Sequence, residues 1–188
     1  MNHEIIMAGF GGQGVMLIGT LLTYAGKEEG KAVSWLPSYG PEMRGGTANC
    51  AVCVSDEGIA SPVVVEPTSA IVMNLPSFER FHRTVVPGGV LIVNSSLVKV
   101  DDLRKDISVQ MVPANDEARE LGSDRVANMV CLGALVGATG VVKLDTVYKV
   151  LPKVISARHH DLLPLNEKAL SRGFALAQGL VAGSPKQG

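Results

Sequence analysis

The sequence has no excess of charge of either sign: its 188 residues include 17 Lys and Arg and 18 Asp and Glu, a formal net charge of -1. A near-neutral chain lacks the broad positive field that attracts a nucleic-acid backbone or an anionic membrane. We therefore expect neither a nucleic acid nor a membrane among its partners. The count concerns the whole chain and leaves local patches open.

Long apolar runs and paired cysteines are also lacking. The longest apolar stretch, residues 129–142, is interrupted by glycines and falls short of the roughly 18 residues that indicate a membrane span. The first residues lack the basic segment and apolar core of a signal peptide, and the three cysteines are an odd number. We expect a reduced, cytoplasmic protein.

The composition, with 46% apolar and 19% charged residues, is typical of a globular chain. The length is ordinary for one domain, and neither an internal repeat nor a linker is visible. The sequence therefore predicts a single domain over residues 1–183, followed by a flexible polar tail at residues 184–188.

The chain opens as strand, glycine turn, helix and strand, which predicts an α/β, Rossmann-like three-layer fold. A hairpin with strands at residues 47–54 and 61–65 would make the mostly parallel sheet mixed. A helix at residues 76–86, capped by Ser77, should follow the next strand. The remaining predicted strands lie at residues 3–8, 32–36, 70–73, 90–93 and 107–112. The helical C-terminal part is predicted at residues 116–121, 126–138, 144–154 and 162–180.

The sequence GFGGQG at residues 9–14 fits G-x-G-x-x-G between a strand and a helix. In this pattern Gly9 allows the tight turn, Gly11 lets a ligand approach the backbone, and Gly14 permits close helix–strand packing. The free N–H groups and the positive end of the helix favour a pyrophosphate or another anion. A tight turn without a ligand is the alternative.

An acidic residue is missing from the place where nucleotide sites usually have one. A nicotinamide or flavin site adds a carboxylate about 20 residues after the glycines to bind the ribose hydroxyls. Here the second strand ends in SWLP, residues 34–37, with neither that acid nor an Arg for a 2′-phosphate. This counts against a dehydrogenase and against a methyltransferase, although residues 87–93, PGGVLIV, are typical of the latter fold.

A second loop, PSYGPEMRGG at residues 37–46, follows the second strand and so lies at the carboxyl end of the sheet. Its prolines stiffen the backbone, and its glycines allow unusual dihedrals or close contacts. Arg44 has paired donors for a phosphate or carboxylate, and Glu42 can orient it or bond across an interface. A solvated Glu–Arg pair is the alternative, but the density of special residues favours a functional loop.

Two asparagines, Asn74 and Asn94, end apolar strands. Such positions face the ligand crevice of an open sheet, and each is equally explained as a turn residue that caps backbone groups. Asn74 is the better site candidate. The pair Cys50 and Cys53 lies on a predicted strand, where residues three apart point to opposite faces and cannot share a metal.

Other candidate chemistry receives structural explanations. Cys131 should be buried on a helix, and Asp161, after two histidines, should be a helix N-cap. No nucleophile elbow occurs. We therefore expect no catalytic residue and no metal ligand in this chain.

The two loops together resemble the gamma subunit of 2-oxoacid:ferredoxin oxidoreductases. The resemblance is carried by GFGGQGV at residues 9–15, WLPSYGPEMRGG at residues 35–46 and Ser61-Pro62. It spans nearly the whole chain, to the helix after Asn128. The 2-oxoglutarate type is the nearest branch, but the pyruvate, 2-oxoisovalerate and indolepyruvate enzymes share versions of this domain.

The resemblance implies a subunit of an enzyme that oxidatively decarboxylates a 2-oxoacid, makes an acyl-coenzyme A and reduces ferredoxin. Alpha, beta and ferredoxin-like delta subunits would hold thiamine diphosphate, magnesium and iron–sulfur clusters, and this chain would hold no cofactor alone. It would lie on the coenzyme A side of the site. Residues expected to bind coenzyme A are Gly9, Gly11, Gly12, Gln13, Gly14 and Asn128. Residues expected at the substrate site or an interface are Ser38, Tyr39, Glu42, Arg44, Gly45, Gly46 and Asn74.

Two other functions compete with this hypothesis. One is a standalone enzyme that uses NAD or S-adenosylmethionine, which the missing ribose acid disfavours. The other is a structural scaffold whose loops only join partner subunits and whose glycine turn binds nothing.

Overall fold

The computed structural model of the chain describes residues 1–38 and 47–179. In these ranges the chain forms one six-stranded sheet and six α-helices, with short 3-10 helices at Asp124–Val126 and Ala157–Leu162. The strands are β1 (Asn2–Phe10), β2 (Ala32–Ser38), β3 (Thr47–Ser55), β4 (Ser69–Val72), β5 (Val90–Asn94) and β6 (Ser108–Val112). The α-helices are α1 (Val15–Glu28), α2 (Leu75–Phe81), α3 (Ala114–Glu120), α4 (Ala127–Thr139), α5 (Leu144–Val154) and α6 (Leu163–Ala177).

The sheet has the order β2-β3-β1-β4-β5-β6. β1, β4, β5 and β6 pair in parallel, while β3 is antiparallel to both of its neighbours, β1 and β2. The predicted α/β fold with a mixed, mostly parallel sheet is therefore confirmed. β3 lies inside the sheet because both of its faces are apolar: Cys50 and Val52 are buried on one side, and Ala51 and Cys53 on the other.

Two buried layers flank the sheet. On one face, strand residues such as Ile5 and Ile71 pack with α1, α4 and α6. On the other face, a smaller cluster includes Ile6 and Leu91 together with Phe78 of α2. Residues 127–137 of α4 are all buried, as expected for a helix that is apolar on every side and packs between other elements.

The predicted strand at residues 61–65 and the predicted helix at residues 76–86 differ most from what is observed. Residues 61–65 form no strand, because β3 already has a partner on each edge and Pro62 has no N–H to donate. α2 begins one residue earlier than predicted and is capped by Asn74, whose side chain accepts from the Ser77 N–H, so Ser77 is not the cap. α2 also ends early, at Phe81, where the Arg104 side chain bonds the carbonyl groups of residues 82, 83 and 85.

The four C-terminal helices lie where they were predicted, with boundaries that differ by up to 3 residues, but the cap predicted for the last helix is wrong. Asp161 is not an N-cap but lies inside a 3-10 helix that begins after Ser156. Within residues 1–38 and 47–179, no helix is both long and apolar enough to cross a bilayer. The predicted tail at residues 184–188 lies outside the described residues, and the single domain over residues 1–183 stays a prediction.

Candidate functional site

The glycine turn lies where the chain direction across the sheet reverses. The chain leaves β1 through α1 toward β2 on one side, and it leaves β4 through α2 toward β5 on the other side. α1 and α2 lie on opposite faces. Between the carboxyl ends of two such strands an open α/β sheet forms a crevice, which is the usual ligand position.

The backbone of the turn leaves the start of α1 without a side-chain cap. Gly12 and Gly14 have φ values of 89° and 75°, in the left-handed region that favours glycine. Gly14 is the N-cap residue and has no side chain to accept the first helical N–H groups. No acidic residue occupies the first turn of α1 either. Uncapped N–H groups at a helix start are suited to bind an anion.

The four glycines of the turn divide into two pairs. A Cβ on Gly11 or Gly12 would meet none of the described heavy atoms within 4 Å, and both residues are exposed. A Cβ on Gly9 would lie 2.7 Å from Gln13 Oε1, and one on Gly14 would collide with the Asn128 side chain. Gly11 and Gly12 thus leave space at the surface, while Gly9 and Gly14 leave space for the chain's own side chains. The close neighbour of Gly14 is therefore a side chain of α4, and not a strand as predicted.

The side chain of Gln13 is folded back over the turn. Its Oε1 accepts a hydrogen bond of 2.6 Å from the Phe10 N–H and one of 3.2 Å from Asn74 Nδ2. The Gln13 N–H in turn donates to the Phe10 carbonyl oxygen at 3.2 Å. Gln13 therefore closes the turn around Gly11 and Gly12 from both its backbone and its side chain.

Asn74 is a capping residue, which is one of the two interpretations of its position, and its place in a ligand site stays a prediction. It is 2% exposed, caps α2 through Oδ1, which accepts from the Ser77 N–H at 2.9 Å, and reaches Gln13 through Nδ2. It therefore lies at the crevice edge and holds two elements together.

Asn128 supports the turn from α4. Its Nδ2 donates to the Gly14 carbonyl oxygen at 3.2 Å, and its Oδ1 accepts from the Met129 N–H at 2.9 Å. The residue is 4% exposed. Both ends of its amide are thus bonded within the chain, and a direct contact with a ligand stays a prediction.

A further pair of amides lies along the same edge of the sheet. Asn94 is fully buried, and its Nδ2 donates to the Met73 carbonyl oxygen at 3.2 Å and to Asn115 Oδ1 at 2.8 Å. Sequence reasoning missed Asn115, although its place just after the apolar β6 is the same signal that drew attention to Asn74 and Asn94. These contacts tie the ends of β4, β5 and β6 to each other.

The second predicted loop begins and ends beside the glycine turn. Ser38, the last residue of β2, pairs with Asn49, and Thr47, the first residue of β3, pairs with Phe10. The loop therefore leaves the sheet at the predicted end. Five of its candidate residues lie outside the described residues: Tyr39, Glu42, Arg44, Gly45 and Gly46.

The cysteines do not converge on a metal or a cluster. Cys50 Sγ contacts the Val15 carbonyl oxygen at 3.7 Å, whereas Cys53 Sγ contacts that of Ser61 at 3.8 Å, on the other face. Burial raises the pKa of Cys50 and of Cys131 to about 12, which keeps both thiols protonated. Among the residues that the structure describes, no three His, Cys, Asp or Glu side chains are placed to hold a metal. These thiols do not fit an iron–sulfur cluster, which needs converging thiolates.

Comparison with known proteins identifies the family. The model of the pyruvate ferredoxin/flavodoxin oxidoreductase family matches residues 4–176. The chain belongs to this family. The resemblance carried by residues 9–15 and 35–46 is thereby confirmed.

Individual oxidoreductases extend this result. The chain is 35% identical over 181 residues to the ketoisovalerate oxidoreductase subunit VorA of Methanothermobacter thermautotrophicus, covering 96% of this chain but 37% of that protein. The gamma subunit of a keto/oxoacid ferredoxin oxidoreductase from Geobacter sulfurreducens has a similar fold, with a TM-score of 0.81 and 30% identity, over 94% of this chain and 99% of that one.

A second solved structure is the 2-oxoglutarate:ferredoxin oxidoreductase of Magnetococcus marinus, with 2-oxoglutarate, coenzyme A and succinyl-CoA bound. It matches with a TM-score of 0.85 and 25% identity, over 98% of this oxidoreductase-family chain and 32% of that one. The chain thus spans about a third of two of these relatives and nearly all of the Geobacter gamma subunit.

Proposed function

We propose that the chain is the gamma-type subunit of a cytoplasmic 2-oxoacid:ferredoxin oxidoreductase and forms part of its coenzyme A site. The observation that carries this proposal is the glycine turn at the crevice. There the uncapped start of α1 lies beside two exposed glycines, Gly11 and Gly12, and a Cβ on either would meet no described heavy atom within 4 Å. A pyrophosphate is the group that such a turn accommodates best.

The role of the chain in the reaction is to bind and orient coenzyme A. Backbone N–H groups of the turn would donate to the phosphate oxygens, and the helix start would favour their negative charge. Gly11 and Gly12 would let the phosphates approach without a Cβ in the way. Gly14 and Asn128 would keep the first turn of α1 in position through the Asn128 Nδ2 bond to the Gly14 carbonyl oxygen.

The remaining chemistry belongs to partner chains in this proposal. Alpha, beta and ferredoxin-like delta subunits would carry thiamine diphosphate, magnesium and iron–sulfur clusters, and ferredoxin would accept the electrons. The Magnetococcus protein supports a 2-oxoacid and coenzyme A as the substrates, because its structure contains 2-oxoglutarate, coenzyme A and succinyl-CoA. We propose 2-oxoglutarate as the substrate, although VorA is named for ketoisovalerate.

A substitution at Gly11 tests the coenzyme A site without disturbing the fold. A Cβ at Gly11 meets no described heavy atom within 4 Å and the residue does not have a positive φ, so Gly11→Ala should fold normally. In the complex co-purified with its partners, we expect Gly11→Ala to weaken coenzyme A binding about tenfold, equivalent to about 1.4 kcal/mol. Gly11→Asp should weaken it further, because its carboxylate repels phosphate.

The matched control is Gly58→Ala, since Gly58 also has free space and no positive φ. Calorimetric titration gives the coenzyme A affinity, and initial rates give the KM values. Assays with 2-oxoglutarate, pyruvate and 2-oxoisovalerate identify the preferred 2-oxoacid. Unchanged coenzyme A affinity in both Gly11 variants would refute the proposed site and favour a scaffold whose turn binds nothing.

A further inference from the structure

We infer that Asn74 is a positioning residue for coenzyme A, which acts by holding Gln13 so that the glycine turn keeps its ligand-binding shape. This inference rests on the proposed function. Asn74 itself is 2% exposed and so does not need to touch the ligand. Its effect passes through a single hydrogen bond, from Asn74 Nδ2 to Gln13 Oε1 at 3.2 Å.

Gln13 sets the shape of the turn. Phe10 and Gln13 are joined twice, by the Phe10 N–H to Gln13 Oε1 at 2.6 Å and by the Gln13 N–H to the Phe10 carbonyl oxygen at 3.2 Å. Gly11 and Gly12 lie between them. Such a reciprocal pair restricts the backbone of Gly11 and Gly12, which is otherwise freer than that of any other residue.

The Gln13 side chain needs a hydrogen bond from outside the turn to hold its conformation. A glutamine side chain has several rotatable bonds, and fixing it costs conformational entropy. The absence of a Cβ on Gly9 makes room for Oε1 but provides no hydrogen bond. Asn74 Nδ2 provides one, and it selects the rotamer in which Oε1 also reaches the Phe10 N–H.

The Asn74 side chain is itself held in one orientation. Its Oδ1 accepts from the Ser77 N–H at 2.9 Å and caps α2, and its side chain is buried. The orientation of the amide is therefore set by the helix, and the opposite end of that amide points its donor at Gln13. A turn preorganised in this way binds its ligand with less loss of entropy.

The experiment replaces Asn74 by residues that keep the helix cap but lose the donor. Serine and aspartate are N-caps as good as asparagine, and neither provides the Nδ2 donor. We expect Asn74→Ser in the complex to raise the coenzyme A Kd and KM by about three- to tenfold, the range of one net hydrogen bond. Saturated kcat and the KM for the 2-oxoacid should stay unchanged. Asn74→Asp should act in the same direction, with charge repulsion added.

Two comparisons separate positioning from a general structural defect. Asn166→Ser is the matched control, because it removes a buried Asn of α6 that bonds the Leu162 carbonyl oxygen just before that helix, and it should leave coenzyme A affinity unchanged. In a Gln13→Met background, Asn74→Ser should have no further effect on coenzyme A binding, because its partner is gone. Additive losses in this double variant would overturn the inference.

The outcomes also distinguish this inference from the proposed function. If Gly11→Asp weakens coenzyme A binding and both Asn74 variants do not, the inference is wrong and the proposed site stands. If neither the Gly11 nor the Asn74 variants change the affinity, both are wrong. A lower melting temperature of Asn74→Ser without a change in coenzyme A affinity assigns Asn74 to the helix cap alone.

Discussion

The contact between α4 and α6 depends on glycines, and one added methyl group tests how closely these helices approach. In Gly173→Ala the new Cβ would collide with the Val130 carbonyl oxygen and would lie 2.7 Å from the Val130 carbonyl carbon. It would also lie 2.9 Å from the Ala134 backbone nitrogen. All three are backbone atoms, so no rotamer change relieves the overlap and the helices must move apart.

The size of the effect follows from these distances. Carbon atoms make their best contact at about 3.5–4.0 Å, so the methyl group overlaps by about 1 Å. Overpacking costs about 1–3 kcal/mol, and simultaneous contacts with three backbone atoms favour the upper end. The higher helix propensity of alanine offsets about 1 kcal/mol of this cost. We expect a net loss of about 2 kcal/mol, which lowers the Tm by roughly 4–8 °C in a chain of this size.

Thermal unfolding of the full chain, followed by circular dichroism and by calorimetry, measures this loss. Gly58→Ala is the control, because its Cβ meets no described heavy atom within 4 Å. It should match the wild type or gain up to about 1 kcal/mol from a less flexible unfolded state. A Tm of Gly173→Ala equal to that of Gly58→Ala would refute the close helix contact.

Two further predictions concern titrating groups. The three cysteines are buried, and burial raises the pKa of Cys50 and Cys131 to about 12. A thiol reagent at mildly alkaline pH should therefore label no cysteine in the native chain and all three after denaturation. Rapid labelling of the native chain would contradict this. Glu28 has its pKa lowered to about 2 by hydrogen bonds from Lys149 and a second lysine of α5. Its contribution to stability is therefore present above the unfolded pKa of 4.5 and is lost as the pH falls toward 2. As the pH falls over that interval, the Tm of the wild type should decrease more than the Tm of Glu28→Gln. An equal decrease in both proteins would argue against the ion pairs between Glu28 and the lysines of α5.

Local patterns predicted most of the elements. The turn at residues 9–14 was predicted because its glycines lie between an apolar run and a segment whose apolar residues recur with helical spacing. Cys50 and Cys53 were correctly placed on opposite faces, since side chains alternate along a strand whatever its partners are. The return strand at residues 61–65 was predicted wrongly, because an extended apolar segment pairs only where a strand edge is free.

The candidate site was predicted in its position but not in its internal contacts. The sequence placed the glycine turn and Asn74 at the same edge of the sheet, because both follow strands. It did not predict that Gln13 closes the turn, that Asn74 supports Gln13, or that Asn128 bonds Gly14. Each of these contacts is a hydrogen bond whose partners depend on how distant segments are arranged.

Local sequence patterns alone determined the fold class and the glycine turn, and the resemblance of two loop motifs indicated the family, because these features depend on residues that are close together in the sequence. Tertiary structure decided that β3 lies between β1 and β2, and that α2 is capped by Asn74 and not by Ser77. It also decided which glycines of the turn are exposed and which accommodate the chain's own side chains. Those outcomes depend on which segments compete for the same strand edge, donor or volume, and that competition is resolved only when the whole chain packs.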